Sequence, residues 1–154
     1  YIKPGDILLS KDSFHMECLH PQEGFNADSA NAYSTVLSVT YGDNSFLFTG
    51  DIEGNGENAL LERLVTDKTL PVHYNVLKVA HHGSKNSSSD AFLKRVSPDI
   101  SIISCGENNT YGHPHKELLE RIENSGSRWV ATKDAGAVTV LSDGQNITIK
   151  SYKN

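Results

Sequence analysis

Apolar and polar residues alternate with a period near two along both ends of the chain and shift to helical spacing in the middle. Residues 2–9 carry the turn signal Pro4-Gly5-Asp6 ahead of a short apolar run, and a strand over 13–19 is stopped by Pro21. Residues 22–32 are polar, small and aperiodic, which predicts a loop. Strands over 34–41 and 45–49 flank Gly42-Asp43-Asn44, the pattern of a hairpin. After this point strands and helices alternate. Gly54 to Gly56 reads as loose chain. A helix is predicted over 58–66, with Leu60, Leu61, Leu64 and Val65 on one face. A strand over 75–80 follows, then a helix capped by Ser89 with Phe92, Leu93 and Val96 at inner spacing; Pro98 prevents its continuation. A strand over 100–104 leads to a helix with Pro114 at its first position. Leu118, Leu119 and Ile122 form its inner face, and Gly126 stops it. Strands over 128–132, 137–141 and 147–152 close the chain, with Asp143-Gly144 turning between the last two. The pattern predicts an α/β fold with a mixed sheet, strand-rich at both ends.

Length and composition narrow the classes. The chain has 154 residues, within the range of one domain. No apolar run approaches the ~18 residues a membrane span needs. A net charge of -5 argues against holding nucleic acid through a broad basic face. It leaves open local cutting, where metal ions supply the positive charge. Two cysteines, Cys18 and Cys105, are too few for a disulfide scaffold or a four-cysteine zinc site. The chain opens on Tyr1 and its only methionine is Met16, which predicts a processed product or a piece of a longer protein.

Three predicted strands run into unusual polar segments. Residues 46–49 lead to Gly50-Asp51, residues 76–80 to His81-His82-Gly83-Ser84, and residues 100–104 to Gly106, Asn109, Tyr111, Gly112 and His113. Parallel strands joined by helices place their C-terminal ends on one sheet edge, where such folds bind ligands. Asp51, His81, His82 and His113 can therefore meet although they are distant in sequence. Carboxylate and imidazole together form a ligand set for Zn²⁺ or Mn²⁺. Plainer roles compete: Asp51 as a turn residue, His113 as a helix cap, the adjacent histidines as structural groups. His15, Cys18 and His20 fit no standard zinc spacing, and Cys18 and Cys105 read as small buried hydrophobes. Ser84, Ser87 and Ser88 lack the surroundings of a nucleophile elbow and read as caps.

The segments 31–37, 46–53 and 77–84, then Ile103 to Gly106, Asn109, Tyr111 to Pro114, Thr132 and Gly136, resemble the metallo-β-lactamase-like domain of the ComEC family of DNA-uptake competence proteins. The resemblance runs over about residues 5–150 and implies an αββα sandwich, a metallo-β-lactamase-like fold of which this chain is the C-terminal part, residues 1–154 forming one partial domain. It implies a centre of two Zn or Mn ions, with Asp51 as the bridging carboxylate, His82 favoured over His81 as a ligand, and His113 completing the second metal position. The implied activity is a phosphodiesterase or nuclease degrading the non-transported DNA strand. The implied partners are single-stranded DNA or another phosphodiester, the upstream half of the same domain, and the membrane channel domain of the parent. The parent is then expected in the cell membrane with this domain extracytoplasmic. Lys85 is a candidate phosphate contact, and Asn109 and Tyr111 are candidates for orienting substrate. One departure stands out: the early His-x-His/Asp-x-Asp-His motif of such enzymes does not occur here, nor does any Asp-His dipeptide. The chain alone is therefore expected to bind metal weakly and to be inactive. Two rivals remain: hydrolysis of a different phosphodiester such as cell-wall phosphocholine, and a degenerate metal-free binding module.

Overall fold

The computed structural model describes residues 2–3 and 5–153; Pro4 of the expected opening turn lies outside the described residues. Seven strands form one mixed sheet in chain order: β1 (Ile7–Lys11), β2 (Phe14–His20), β3 (Val36–Tyr41), β4 (Asn44–Phe48), β5 (Val76–Lys78), β6 (Ile100–Ile103) and β7 (Arg128–Ala131). The first four pair antiparallel and the last four parallel, so β4 is where the direction of pairing changes. Parallel neighbours need crossovers. These are α1 (Gly54–Thr66), α2 (Asp90–Val96) and α3 (Lys116–Asn124), which also pack on one another. A short helical turn, α4 (Thr132–Ala135), leads to the hairpin of β8 (Val138–Ser142) and β9 (Ile147–Ser151).

Register sorts the two faces of the sheet. Leu47 and Leu77 stand side by side and join Ile103, Leu60, Leu64, Phe92, Leu93, Leu118 and Ile122 in the buried core beneath the helices. Each such side chain, fully buried, contributes roughly 1.5–3 kcal/mol relative to exposure. On the opposite face Phe48, Lys78, Ile102 and Val130 form one continuous row across four strands. Phe48 remains 47% exposed.

Most expected elements are present, and their capping logic holds. The Ser89 hydroxyl accepts the Phe92 N–H at 3.3 Å. Gly126 has φ +83° just past the end of α3, the left-handed stop that glycine permits. Four expectations need correction. First, α1 begins at Gly54, so the glycines read as loose chain form its first turn. A Cβ on Gly56 would lie 2.4 Å from the Ala32 carbonyl oxygen, so this close contact outweighs glycine's poor helix propensity. Second, Val65 is 48% exposed rather than on the inner face, because the buried stripe of α1 runs through Leu60 and Leu64. Third, α3 starts at Lys116 with His115 at its N-cap, so Pro114 precedes the helix. Fourth, β5 ends at Lys78, and 80–83 leave the strand in a tight turn with left-handed backbone at His81 and His82.

The β8–β9 hairpin is tied to the turn between β3 and β4. Asn44 Nδ2 donates to Ser142 Oγ at 2.8 Å, and the Asp43 N–H donates to the Gly144 carbonyl at 2.7 Å. Gly42, at φ +56°, has no room for a side chain: a Cβ there would sit 2.3 Å from the Gly144 oxygen. Gly42→Ala is expected to lower the unfolding free energy by about 2 kcal/mol, from left-handed strain plus backbone collision. Gly106→Ala, where nothing lies within 4 Å, should change it by less than about 0.5 kcal/mol. Urea denaturation of the two variants checks the contrast.

Candidate functional site

The C-terminal ends of β4, β5 and β6 meet at one edge, as parallel pairing requires. Past β4, the Thr49 hydroxyl donates to the Lys78 carbonyl at 2.6 Å, tying the first two ends together. Gly50 turns at φ +55° against Ser34, whose hydroxyl accepts the Asp51 N–H at 3.1 Å. Past β5, the His81 N–H donates to the Gly50 carbonyl at 3.1 Å. His81 and His82 both adopt left-handed backbone, at φ 46° and 55°. That conformation costs an L-residue roughly 1–2 kcal/mol, and two in succession persist only where the surroundings over-determine them.

The surroundings do so. Gly83 lies so close to Pro114 that a Cβ would sit 2.7 Å away, and its carbonyl accepts the His115 N–H at 2.9 Å. These contacts bring the histidine pair to the loop that carries His113. Asn109 holds that loop: Oδ1 accepts the His113 N–H at 2.8 Å, while Nδ2 donates to the carbonyls of His113 and Gly106 at 2.8 and 2.7 Å.

Ring partners decide which imidazoles offer a lone pair. His82 Nδ1 stands 2.7 Å from the Ser104 carbonyl oxygen. A carbonyl only accepts, so Nδ1 carries the hydrogen and, in the neutral ring, Nε2 is bare. His82 Nε2 is 3.7 Å from Asp51 Oδ1. Two donors bonded at ~2.1 Å to one tetrahedral ion stand about 3.4 Å apart, so this pair fits a shared ion closely. His81 Nδ1 faces Glu53 Oε2 at 2.9 Å, which likewise leaves its Nε2 bare. His115 is the opposite case: its Nδ1 accepts the Lys85 N–H at 3.1 Å, so its Nε2 holds the hydrogen and is a donor. His113 is buried. Desolvation pushes its pKa below the ordinary imidazole value, and His115, His81 and His82 push it the same way, which favours its neutral form. Its ring centroid lies 5.6 Å from that of His81 and 6.4 Å from that of His82.

The four expected donors thus line one rim, with Asp51 and His82 nearest to sharing an ion. Among the described residues no three His, Cys, Asp or Glu side chains form a group able to hold one. The donor set fits a borderline metal in chemistry and is partial in number.

The remaining candidates separate. Tyr111 is 77% exposed at the rim of a cavity of about 350 Å³ shared with His82, Cys105 and His113, its ring near-parallel to His113. Asn109 lines the same cavity, with its amide engaged by the loop. Lys85 points toward α3, with Nζ 3.9 Å from Glu117. His20 is fully buried between the Ala32 carbonyl and Gln22, and Cys18 is buried beside it. Burial pushes both thiols above their ordinary pKa, but only Cys18 is fully buried: Cys105, expected to be a buried hydrophobe, is half-buried because it lies past the end of β6 on the wall of that cavity.

Three participants were missed in the sequence. Lys78 lies beneath the rim with Nζ donating to the Val79 carbonyl at 2.8 Å; burial pulls its pKa down and nearby Asp51 holds it up. The others are Glu53 and the Ser104 carbonyl. Lys78 and Ser104 look like ordinary strand residues, and only Glu53, two positions after Asp51, carried a local signal.

Residues 29–107, just over half of the chain, match the metallo-beta-lactamase superfamily. The chain belongs to that superfamily. It is 37% identical to ComE operon protein 3 of Bacillus subtilis (strain 168) over 138 residues, which cover 89% of this chain and 17% of that protein. It is 35% identical to competence protein ComA of Neisseria gonorrhoeae over 127 residues, 82% of this chain and 18% of that one. Recombination protein 2 of Haemophilus influenzae is 36% identical over 126 residues, 82% of this chain and 15% of that protein. The chain therefore spans less than a fifth of the length of these relatives. The mixed α/β architecture agrees with membership of the superfamily, and the resemblance to competence proteins holds over most of the chain. No helix among the described residues is long and apolar enough to cross a membrane.

The loop geometry generates a prediction about Asn109. Asn109→Ala removes three hydrogen bonds from one exposed turn. The His113 amide should then exchange with solvent at least about tenfold faster, while amides of β5 and β6 are unchanged. Unchanged exchange at His113 would show that the loop holds itself and that Asn109 serves something else.

Proposed function

We propose that this metallo-beta-lactamase domain contributes one wall of a two-metal centre that hydrolyses phosphodiesters, with single-stranded DNA as substrate. The observation that carries the reading is the 3.7 Å approach of His82 Nε2 to Asp51 Oδ1, at an edge where the His82 tautomer is fixed for ligation. Asp51 and His82 would hold one ion and share Asp51 with a second, toward which His113 and His81 would turn. Bound ions of this kind polarise a phosphoryl oxygen and lower the pKa of a water. The chain's own residues do the rest. The Ser104 carbonyl and Glu53 hold the two imidazoles in place. Desolvation favours the neutral form of His113, and Tyr111 gives the cavity an exposed aromatic wall. With a net charge of -5, attraction for phosphate falls to the ions and to Lys78 beneath them.

On this reading the remaining ligands come from outside the chain, from the upstream half of the same domain. That half is also the occupant expected for the sheet face bearing Phe48 and Ile102. The names of the relatives support a place in DNA uptake, and their much greater length leaves room for a membrane channel domain beside an extracytoplasmic nuclease.

Calorimetric titration of the isolated chain with Zn²⁺ and Mn²⁺ should give weak binding; tight uptake of two ions would remove the shared-site reading. In the longer protein that contains this chain, Asp51→Ala and His113→Ala should each lower metal-dependent hydrolysis of single-stranded DNA by about 100-fold or more. Undiminished hydrolysis in both variants would overturn the assignment. Retained activity on a phosphocholine ester, with none on DNA, would redirect the substrate.

A further inference from the structure

Glu53 occupies the N-cap of α1, yet its side chain makes no capping bond. Asp, Asn, Ser and Thr are the side chains that usually reach back to free N–H groups there. Glu53 instead extends to the rim, where both of its oxygens are engaged. Oε1 accepts Asn31 Nδ2–H at 2.8 Å, and Oε2 accepts His81 Nδ1–H at 2.9 Å. The two ends of the His81–Glu53 pair are only 25% and 20% exposed, so solvent competes weakly for either. Asn31 is itself placed by the backbone. It opens the 3₁₀ turn Asn31–Tyr33, and that turn abuts α1 where Gly56 meets the Ala32 carbonyl.

The two histidines are therefore oriented by different kinds of partner. His82 leans on the neutral carbonyl of Ser104, and His81 on a carboxylate whose other oxygen is held by Asn31. An ionised carboxylate accepts a stronger hydrogen bond than a carbonyl, and it selects one tautomer of the ring. We infer that Glu53, braced by Asn31, is the positioning residue of His81: it fixes the Nδ1–H tautomer, so that Nε2 presents a lone pair to the rim as a second imidazole donor beside His82. This rests on the reading of the rim as a ligand-binding site and adds a donor pair where that site's sequence suggested a choice between the two histidines.

The test reads tautomers directly, by long-range ¹H–¹⁵N correlation of the histidine rings in this chain. His81 and His82 are both expected as Nδ1–H in the unaltered protein. Glu53→Gln and Glu53→Ala should turn His81 into a mixture with Nε2–H, while His82, held by Ser104, stays as it was. Asn31→Ala should shift His81 in the same direction by less. The unmoved His82 signal also certifies that the variants are folded. A His81 ring that is Nε2–H in the unaltered chain, or one that ignores both Glu53 variants, would overturn the inference. Zn²⁺ alone, added to the same samples, separates this from the wider reading. Glu53 variants should need about 10–100 times more Zn²⁺ to perturb His81 Nε2. If Zn²⁺ perturbs neither histidine while the tautomers behave as stated, the metal reading fails and the positioning role stands.

Discussion

The histidine pair and His113 come from different strands, and what joins them is backbone packed on backbone. Gly83 sits against Pro114 with no space for a side chain, and its carbonyl takes the His115 N–H at 2.9 Å. Any residue larger than glycine would push the two loops apart by the better part of a van der Waals radius. The left-handed turn at His81 and His82 depends on the same contact from the other side, since Gly83 at φ +88° must complete it. Gly50 does the equivalent work for Asp51, through Ser34 and the His81 N–H. The donors are thus held by main-chain contacts beneath them, and their side chains remain available for chemistry.

This division explains what could be read from the sequence. Strand periodicity, the Ser89 cap and the Gly126 stop are local signals, and each is found in place. The convergence of Asp51, His81, His82 and His113 on one edge also followed, because parallel connection forces it. What escaped was decided by partners distant in sequence. Gly56 belongs in a helix only because Ala32 lies against it. Asn109 also holds the loop that carries His113, which an exposed loop amide does not announce until its three partners are known. His113 resembled a helix cap, but that place belongs to His115. The choice between His81 and His82 was undecidable from spacing, since it turns on whether each Nδ1 meets an acceptor.

Few groups set the charge of the rim. The edge gathers four imidazoles and the half-buried ammonium of Lys78, with Asp51 and Glu53 as its carboxylates. Desolvation and its neighbours favour the neutral form of His113. Lys78 is held near Asp51 without a direct bond between them, its ammonium taken by the Val79 carbonyl. A half-buried cation with one neutral acceptor is poorly satisfied, and a nearby anion lowers its energy.

The strain at His81 and His82 is better understood alongside this field. Two left-handed residues cost together about 2–4 kcal/mol, a sizeable share of a domain's net stability. A turn with glycine at both positions would avoid that cost but would present no ring. Ring orientation is therefore what the strain maintains: each Nδ1 is committed to a fixed acceptor, one a strand-end carbonyl and one a carboxylate at the head of α1. Donors fixed beforehand bind with less loss of freedom than donors that must be gathered. That advantage matters most for a partial ligand set. A rim with two donors 3.7 Å apart and neighbouring rings centred 5.6 and 6.4 Å from that of His113 gains little from flexibility, and most from having its lone pairs already set.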